Sequence, residues 1–197
     1  LNPEIAKALI AITDEGDAAI RKLATCVSLY NEALQNLESQ TMNLSANFTL
    51  KELTKSDTAT RLDIDNTPNE EQIESLRLLC ENILQPVRDH FGKPVKISSG
   101  FRCAELNSSP AVGGSKTSDH CKGQAVDFEI DGLSNPDVAQ WIMENLTYSQ
   151  LILEFYVQGQ PNSGWIHCSY NPDKLIKQEL TAVKVAGKTT YLNGLQA

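Results

Sequence analysis

The spacing of apolar residues in the first forty positions differs from that in the rest of the chain. Apolar and small residues recur there alternately four and three positions apart, as in the a/d seam of a coiled coil. The seam consists of Ile5, Leu9, Ile12, Gly16, Ala19, Leu23, Cys26, Tyr30, Ala33 and Leu37. This pattern predicts a helical arm over residues 1–40. Two interpretations stay open: a coiled coil that oligomerises the chain or docks it on a larger assembly, or a helical hairpin that folds on its own domain.

The next segment, residues 41–66, is polar and irregular, which predicts a linker and a lead-in with short helical pieces. A helix start follows, in which Thr67 is the expected cap and Glu70 completes a capping box. Apolar residues at helical spacing then continue to about Phe91. We therefore expect a second domain over residues 67–197.

This second domain alternates between strand and helix patterns. Strands are predicted in VKISSGF, QAVDFEI, QLILEFYV and GWIHCSY, and a closing hairpin in TAVKVAGKTTYL. Helices are predicted in SNPDVAQWIMENL and PDKLIKQEL. The turn-rich QGQPNSG predicts a further hairpin between QLILEFYV and GWIHCSY. Mixed helices and antiparallel strands indicate an α+β fold, in which helices flank an antiparallel sheet.

Composition argues against several classes of function. The 197 residues carry a net charge of −8, and the pI is about 4.9, so a nucleic acid would be repelled on average. No apolar run approaches the roughly 18 residues needed to cross a bilayer, and no signal-peptide pattern opens the chain. The five cysteines contain no C-x-x-C pair, which argues against a four-cysteine zinc site.

Strand alternation predicts that three polar side chains share one face of the sheet. Asp127 in QAVDFEI, His167 in GWIHCSY and Glu154 in QLILEFYV each point away from the apolar face of their strand. His120 precedes the first of these strands and can fold back over the same surface. Two imidazoles and one carboxylate are a standard catalytic zinc set that leaves a fourth position for water. We predict one zinc ion per chain, bound by His120, Asp127 and His167.

Three further side chains have predicted roles beside these ligands. Glu154 is the expected base that accepts a proton from water, with Glu129 and Asp119 as weaker substitutes. Arg102 would hold a substrate carboxylate or the developing oxyanion through its guanidinium fork. Ser118 would donate a hydrogen bond to the substrate. A lone arginine or a strand glutamate is ordinarily a surface residue, so these roles require the residues to lie together.

The same residues resemble the signature of the zinc D-Ala-D-Ala carboxypeptidases, peptidase family M15, in the branch common in bacteriophages and bacteria. The family pattern S-x-H-x-x-G-x-A-x-D is matched at all its specified positions by Ser118, His120, Gly123, Ala125 and Asp127. SSGFR is similar to the family's S-G-[FY]-R, which carries the substrate-binding arginine, here Arg102. GWIHCSY resembles the strand with the third ligand, here His167. The resemblance covers about residues 48–180.

The resemblance implies an M15/hedgehog-like zinc peptidase fold and an enzyme that cleaves D-amino-acid-containing bonds in peptidoglycan stem peptides. It implies a phage setting. The resemblance does not cover residues 1–40, which we expect to be an oligomerisation or virion-assembly segment. The compartment stays open between a virion and the host cell wall or periplasm after release. The sequence also does not distinguish a carboxypeptidase from an endopeptidase, since these differ by cleft shape rather than by ligands.

One position departs from the family pattern. Many members place the catalytic carboxylate three residues before the third ligand, as E-x-x-H, and Gly164 occupies that position here. Glu154 on the preceding strand would have to substitute. The alternative is a catalytically weak or inactive module that has a structural or wall-binding role on a virion.

Overall fold

The structure, a computed structural model, describes residues 16–161 and 163–196. The chain divides into two units, Leu1–Thr41 and Met42–Ala197. Within the described residues, no helix is both long enough and apolar enough to cross a membrane.

The described part of the first unit is a single helix, α1, which spans Gly16–Thr41. Three residues of the predicted seam, Ile5, Leu9 and Ile12, lie outside the described residues. Leu23 and Tyr30, which belong to the seam, are exposed on α1. A second helix could cover such a stripe, and the coiled coil stays a prediction.

The second unit contains one six-stranded sheet. Its strands are β1 Val95–Ser99, β2 Ala125–Ile130, β3 Gln150–Glu154, β4 Trp165–Ser169, β5 Gln178–Val185 and β6 Lys188–Asn193. They lie in the order β1-β2-β4-β3-β5-β6. Neighbours are antiparallel except β3 and β5, which are parallel. The α+β class with a largely antiparallel sheet is confirmed, including the hairpins β3–β4 and β5–β6.

The helices of the second unit are α2 Leu50–Thr54, α3 Asp57–Leu62, α4 Glu70–Leu79, α5 Gln85–Phe91, α6 Ala104–Ser108 and α7 Asn135–Asn145. Of these, α2, α4, α5 and α7 pack apolar side chains in the core with one face of the sheet. A π-helical turn, Cys80–Leu84, joins α4 to α5, so the helix predicted to about Phe91 is continuous. The core combines alternate strand residues such as Val126, Phe128 and Ile166 with helix residues such as Leu76. The opposite face of the sheet is left for polar side chains.

Residues 42–66 lie inside the second unit rather than in the predicted linker. Four of their side chains, Leu44, Phe48, Leu50 and Leu53, are buried in the core. These apolar residues are separated by polar ones at irregular intervals, so neither the helix period nor the strand period reveals them.

The predicted helix cap is displaced by two residues. Asn69 rather than Thr67 caps α4: its side chain accepts a hydrogen bond from the backbone N–H of Gln72 at 2.9 Å. The Gln72 side chain in turn accepts one from the Asn69 N–H at 2.8 Å. The capping box is therefore present, but it is built by an Asn–Gln pair rather than by Thr67 and Glu70.

The helix predicted in PDKLIKQEL is wrong. The segment begins with a turn in which the Asp173 N–H donates to the Asn171 side chain at 3.0 Å. Lys177 and Gln178 then donate their backbone N–H groups to residues 148 and 149, at 3.1 Å each. These backbone N–H groups therefore bond to the residues that lead into β3, and not to carbonyl groups of a helix. The apolar residues that suggested helical spacing, Leu175 and Ile176, are exposed.

Candidate metal centre

Three ligand-type side chains meet on the polar face of the sheet. The pairing of β2 with β4 places Asp127 directly opposite His167, and strand alternation turns both away from the core. His120 lies in a short 3₁₀ turn, Asp119–Lys122, just before β2. The predicted trio is thus brought together, and its three side chains are all nearly buried.

The distances within this trio suit a single metal ion. His120 Nε2 lies 3.3 Å from His167 Nδ1 and 3.3 Å from Asp127 Oδ2, and His167 Nδ1 lies 2.8 Å from Asp127 Oδ1. Ligand atoms about 2.0–2.1 Å from a tetrahedral zinc ion are roughly 3.3 Å apart. The two imidazole nitrogens are separated by that value, and they contact different oxygens of Asp127, His120 contacting Oδ2 and His167 contacting Oδ1. One ligand atom of each residue lies within 4.8 Å of the others, so the donor set fits a single zinc-type ion.

A carbonyl group behind His120 fixes its orientation. His120 Nδ1 lies 2.7 Å from the Gly100 carbonyl oxygen, to which it donates its proton, so Nε2 is left free as a ligand. The neighbouring N–H of Phe101 donates to the Leu53 carbonyl at 2.7 Å. A Cβ on Gly100 would lie 2.2 Å from that same Leu53 oxygen, so this close approach requires glycine. Helix α2 thus supports the ligand from behind.

The electrostatics of the trio favour an ionised carboxylate. Burial would raise the pKa of Asp127, but the two imidazoles and their hydrogen bonds outweigh burial and hold this pKa well below its usual range. Burial lowers the pKa of His120. Burial acts in the same direction on His167, but its hydrogen bond to Asp127 outweighs it and raises the pKa. An ionised carboxylate beside imidazoles is what a divalent cation requires.

Glu154, the predicted base, lies at the end of β3 on the same face. It pairs with Trp165, two positions before His167 on β4, and its side chain lines the cleft above the trio. Partial burial and the negative charge of Asp127 raise its pKa. The two substitutes are engaged elsewhere, since Glu129 pairs with Lys96 at 2.9 Å and Asp119 pairs with Lys122 at 2.9 Å.

The two predicted substrate residues, Arg102 and Ser118, also line this cleft. Arg102 Nε is buried and has no hydrogen-bond partner among the described residues. The backbone around it is held by Asn66, whose side-chain oxygen accepts from the Cys103 N–H at 2.7 Å and whose amide donates to the Phe101 carbonyl at 3.1 Å. An unpartnered guanidinium beside the cleft is suited to bind an anion.

Comparison with known proteins agrees with this geometry. The sequence matches the family described as Peptidase M15 over residues 46–169. The chain belongs to peptidase family M15. The match contains the trio, Arg102, Ser118 and Glu154, whereas α1 and the β5–β6 hairpin lie outside it. Peptidases of this family are metal-dependent, and the trio is the candidate site for such an ion among the described residues. A search of curated proteins finds no match.

Gly164, the departure from the M15 pattern E-x-x-H, has a structural cause. Its φ is +68°, and a Cβ there would lie 1.9 Å from the Glu154 carbonyl oxygen. A residue with a Cβ would not fit at this position unless the backbone at the end of β3 moved. The position that carries the carboxylate in many M15 members is therefore packed directly against the backbone of Glu154.

The M15 cleft also contains residues that sequence reasoning missed. Its volume is about 610 Å³, and its walls include Phe155, Trp165 and Tyr191. The Phe155 and Trp165 rings pack with their centroids 5.2 Å apart. Trp165 lies two positions before His167 on β4, so strand alternation could have placed it on the same face. No sequence pattern indicated Tyr191, because its position in the cleft depends on the pairing of β5 with β3.

The remaining histidine and a core cysteine lie outside the cleft. His90 stacks on Trp141 with ring centroids 4.2 Å apart, at the end of α5. Cys168 faces the core, where burial raises the pKa of its thiol far above its usual value.

Proposed function

We propose that this protein is a zinc-dependent peptidase that cleaves D-amino-acid-containing bonds in peptidoglycan stem peptides. The observation that carries the proposal is the His120–Asp127–His167 trio, whose ligand atoms lie within 4.8 Å of one another at the floor of a cleft. Membership of family M15 supports a metallopeptidase. The identities of the metal as zinc and of the substrate as peptidoglycan are proposed in addition.

The cleft residues divide the chemistry of hydrolysis among them. Zinc, when bound by the trio, would polarise the scissile carbonyl and acidify a water molecule. Glu154 takes the proton of the attacking water and passes it to the leaving amine, so that one carboxylate acts first as base and then as acid. Its raised pKa suits this exchange, since proton transfer is most efficient when the pKa lies near the operating pH.

Arg102 and Ser118 position the substrate in this proposal. The guanidinium of Arg102 binds a carboxylate of the stem peptide, and its buried, unpartnered Nε supports that role. Ser118 precedes the 3₁₀ turn that carries His120, and its side chain caps no helix, so its hydroxyl is available to the substrate. The helical arm would tether the enzyme, in a phage particle or lysis assembly, through oligomerisation or docking.

The replacement of Glu154 by Gln tests the catalytic assignment. We expect Glu154→Gln to keep its zinc and to lose at least about 100-fold in the hydrolysis of purified stem peptides, because an amide cannot accept the proton. Glu129→Gln, on the same face but paired with Lys96, is the matched control and should keep its activity. Zinc content and product release would be measured on both variants. Undiminished turnover in Glu154→Gln would remove it from this role.

A second candidate rests on Gly164, which leaves the E-x-x-H position without a carboxylate. The domain would then serve as a structural or wall-binding module of a virion, with or without its metal. Binding to purified sacculi with no soluble product, under conditions in which zinc is bound, would favour this candidate over the enzyme.

A further inference from the structure

The β5–β6 hairpin contributes to the cleft although it lies beyond the part of the chain that matches family M15. The match ends at residue 169. Three hairpin side chains, Leu180 on β5 and Thr189 and Tyr191 on β6, nevertheless line the same cleft as the metal trio. This wall of the cleft is therefore built by residues that follow the matched part of the chain.

The order of the strands places Arg102 and Tyr191 at opposite ends of the cleft. Arg102 follows β1, the strand at one edge of the sheet, and Tyr191 lies on β6 at the other edge. Asp127 on β2, His167 on β4 and Glu154 on β3 lie between them in that order. A substrate that crosses the strands thus meets Arg102, the metal ligands, Glu154 and finally Tyr191.

The strand register puts Tyr191 in line with Glu154. Glu154 pairs with Ala182 across β3 and β5, and Ala182 pairs with Tyr191 across β5 and β6. Ala182 is buried and small, so nothing on β5 in this row projects between the two larger side chains. Glu154 and Tyr191 are therefore neighbours along one row of the cleft face.

The hydroxyl of Tyr191 is available to a ligand. The side chain is 54% exposed, and its hydroxyl forms no hydrogen bond with any residue that the structure describes. Partial burial, and then the carboxylates of Glu154 and Asp127, raise the pKa of Tyr191, so the hydroxyl keeps its proton at neutral pH. It is thus a hydrogen-bond donor that points into a cleft with two acidic neighbours.

The spacing of the strands limits the length of peptide that reaches from the metal ligands to Tyr191. The backbones of β4 and β6 are three strand spacings of about 4.8 Å apart, which amounts to roughly 14 Å. An extended chain covers about 3.3 Å per residue, so at most about four residues bridge this distance. The charges of Glu154 and Asp127 act on Tyr191, so the side chains are closer together than the backbones and fewer residues suffice.

We propose that Tyr191 is a substrate-binding residue, and that its hydroxyl donates a hydrogen bond to a carbonyl or carboxylate oxygen of the peptide on the side of the scissile bond away from Arg102. The proposal rests on the proposed peptidase function and deepens it. It makes the hairpin a second substrate subsite. The enzyme then selects peptides that extend on both sides of the cleaved bond.

Steady-state kinetics of Tyr191→Phe test this subsite. The substrates are a synthetic stem pentapeptide that ends in D-Ala-D-Ala and peptides shortened by one or more residues from either end, which are used as competitive inhibitors where the cleaved bond is lost. We expect KM for the pentapeptide to rise about 3- to 10-fold, the effect of one hydrogen bond, with kcat changed less than about twofold. The effect should disappear for peptides shortened from one end and persist for those shortened from the other.

The matched control is Thr190→Val, which also removes a hydroxyl from β6 but lies on the opposite face of the sheet, next to Tyr191 in sequence. Its kinetics, and the zinc content and thermal stability of both variants, should equal those of the wild type. An unchanged KM in Tyr191→Phe, or a rise that does not depend on peptide length, overturns the subsite and leaves the peptidase intact. A wild type that binds zinc but releases no product from any stem peptide overturns the proposed function, and the subsite with it.

Discussion

At the scale of single residues, the site combines positions that the sequence reveals with contacts that it cannot. Strand alternation was enough to predict that Asp127 and His167 lie on one face, because side chains alternate along every strand. The motif identified His120, whose place in a 3₁₀ turn follows no period. The support behind it, the Gly100 carbonyl and the Leu53 carbonyl, could not be predicted, because backbone groups leave no residue-type signal.

The position of the Glu154 side chain could likewise be predicted only in part. Its face was predictable, but its position beside the trio depends on the register between β3 and β4, in which Ile152 lies opposite His167. The ten residues between these strands allow several registers, and a shift by one residue would turn Glu154 into the core. The close contact between Gly164 and the Glu154 carbonyl favours the observed register, because it holds the end of β3 against the start of β4.

The substitution Gly164→Ala tests this packing. We expect it to lower the free energy of unfolding by about 2–4 kcal/mol, because a left-handed conformation costs about 1–2 kcal/mol and the clash with the Glu154 backbone adds a comparable overpacking penalty. Chemical denaturation would measure the loss.

Gly159→Ala is its control, since Gly159 has a φ of +82° in the same hairpin loop but open space around its Cβ position. Gly159→Ala should show only the conformational part of the loss, about 1–2 kcal/mol. Equal losses in the two variants would show that the approach of residue 164 to Glu154 has no energetic importance.

At the scale of elements, strands were easier to predict than the segments that join them. All six strands overlap segments that were predicted to be strands, and alternation is clearest in β1. The parallel pairing of β3 with β5 leaves no pattern in the sequence, although it brings Tyr191 to the cleft. The short helices of residues 42–66 were predicted, but their burial was not, since helices with one or two buried residues each have no measurable period.

The substitution Phe48→Ala tests whether residues 42–66 belong to the domain. Phe48 is buried in the main core, so its truncation should cost about 3–5 kcal/mol of unfolding free energy. Leu62→Ala, an exposed apolar residue on α3 in the same segment, should cost less than about 1 kcal/mol. Thermal or urea unfolding would measure the free energy of unfolding of both variants. If Phe48→Ala lowers it as little as Leu62→Ala does, residues 42–66 behave as a linker and not as part of the domain.

At the scale of the whole molecule, one sheet separates stability from chemistry. Its helix-covered face forms the hydrophobic core, and its other face carries the metal trio, Glu154 and the cleft. This division was visible in part in the sequence, because Asp127, Glu154 and His167 interrupt the apolar residues of their strands at positions that share one face. The role of α1 was not, since a heptad seam predicts a contact between helices but does not identify the other helix.

Zinc stoichiometry tests the central claim most directly. After incubation with zinc and removal of the excess, elemental analysis of the wild type should give one zinc ion per chain. His120→Ala and His167→Ala should remain folded and bind close to none, because each removes one of three ligands from the trio. His90→Ala removes the third histidine of the chain, which stacks on Trp141 instead, and should still bind one. A folded wild type without zinc, or a His120→Ala variant that binds as much as the wild type, would contradict the account.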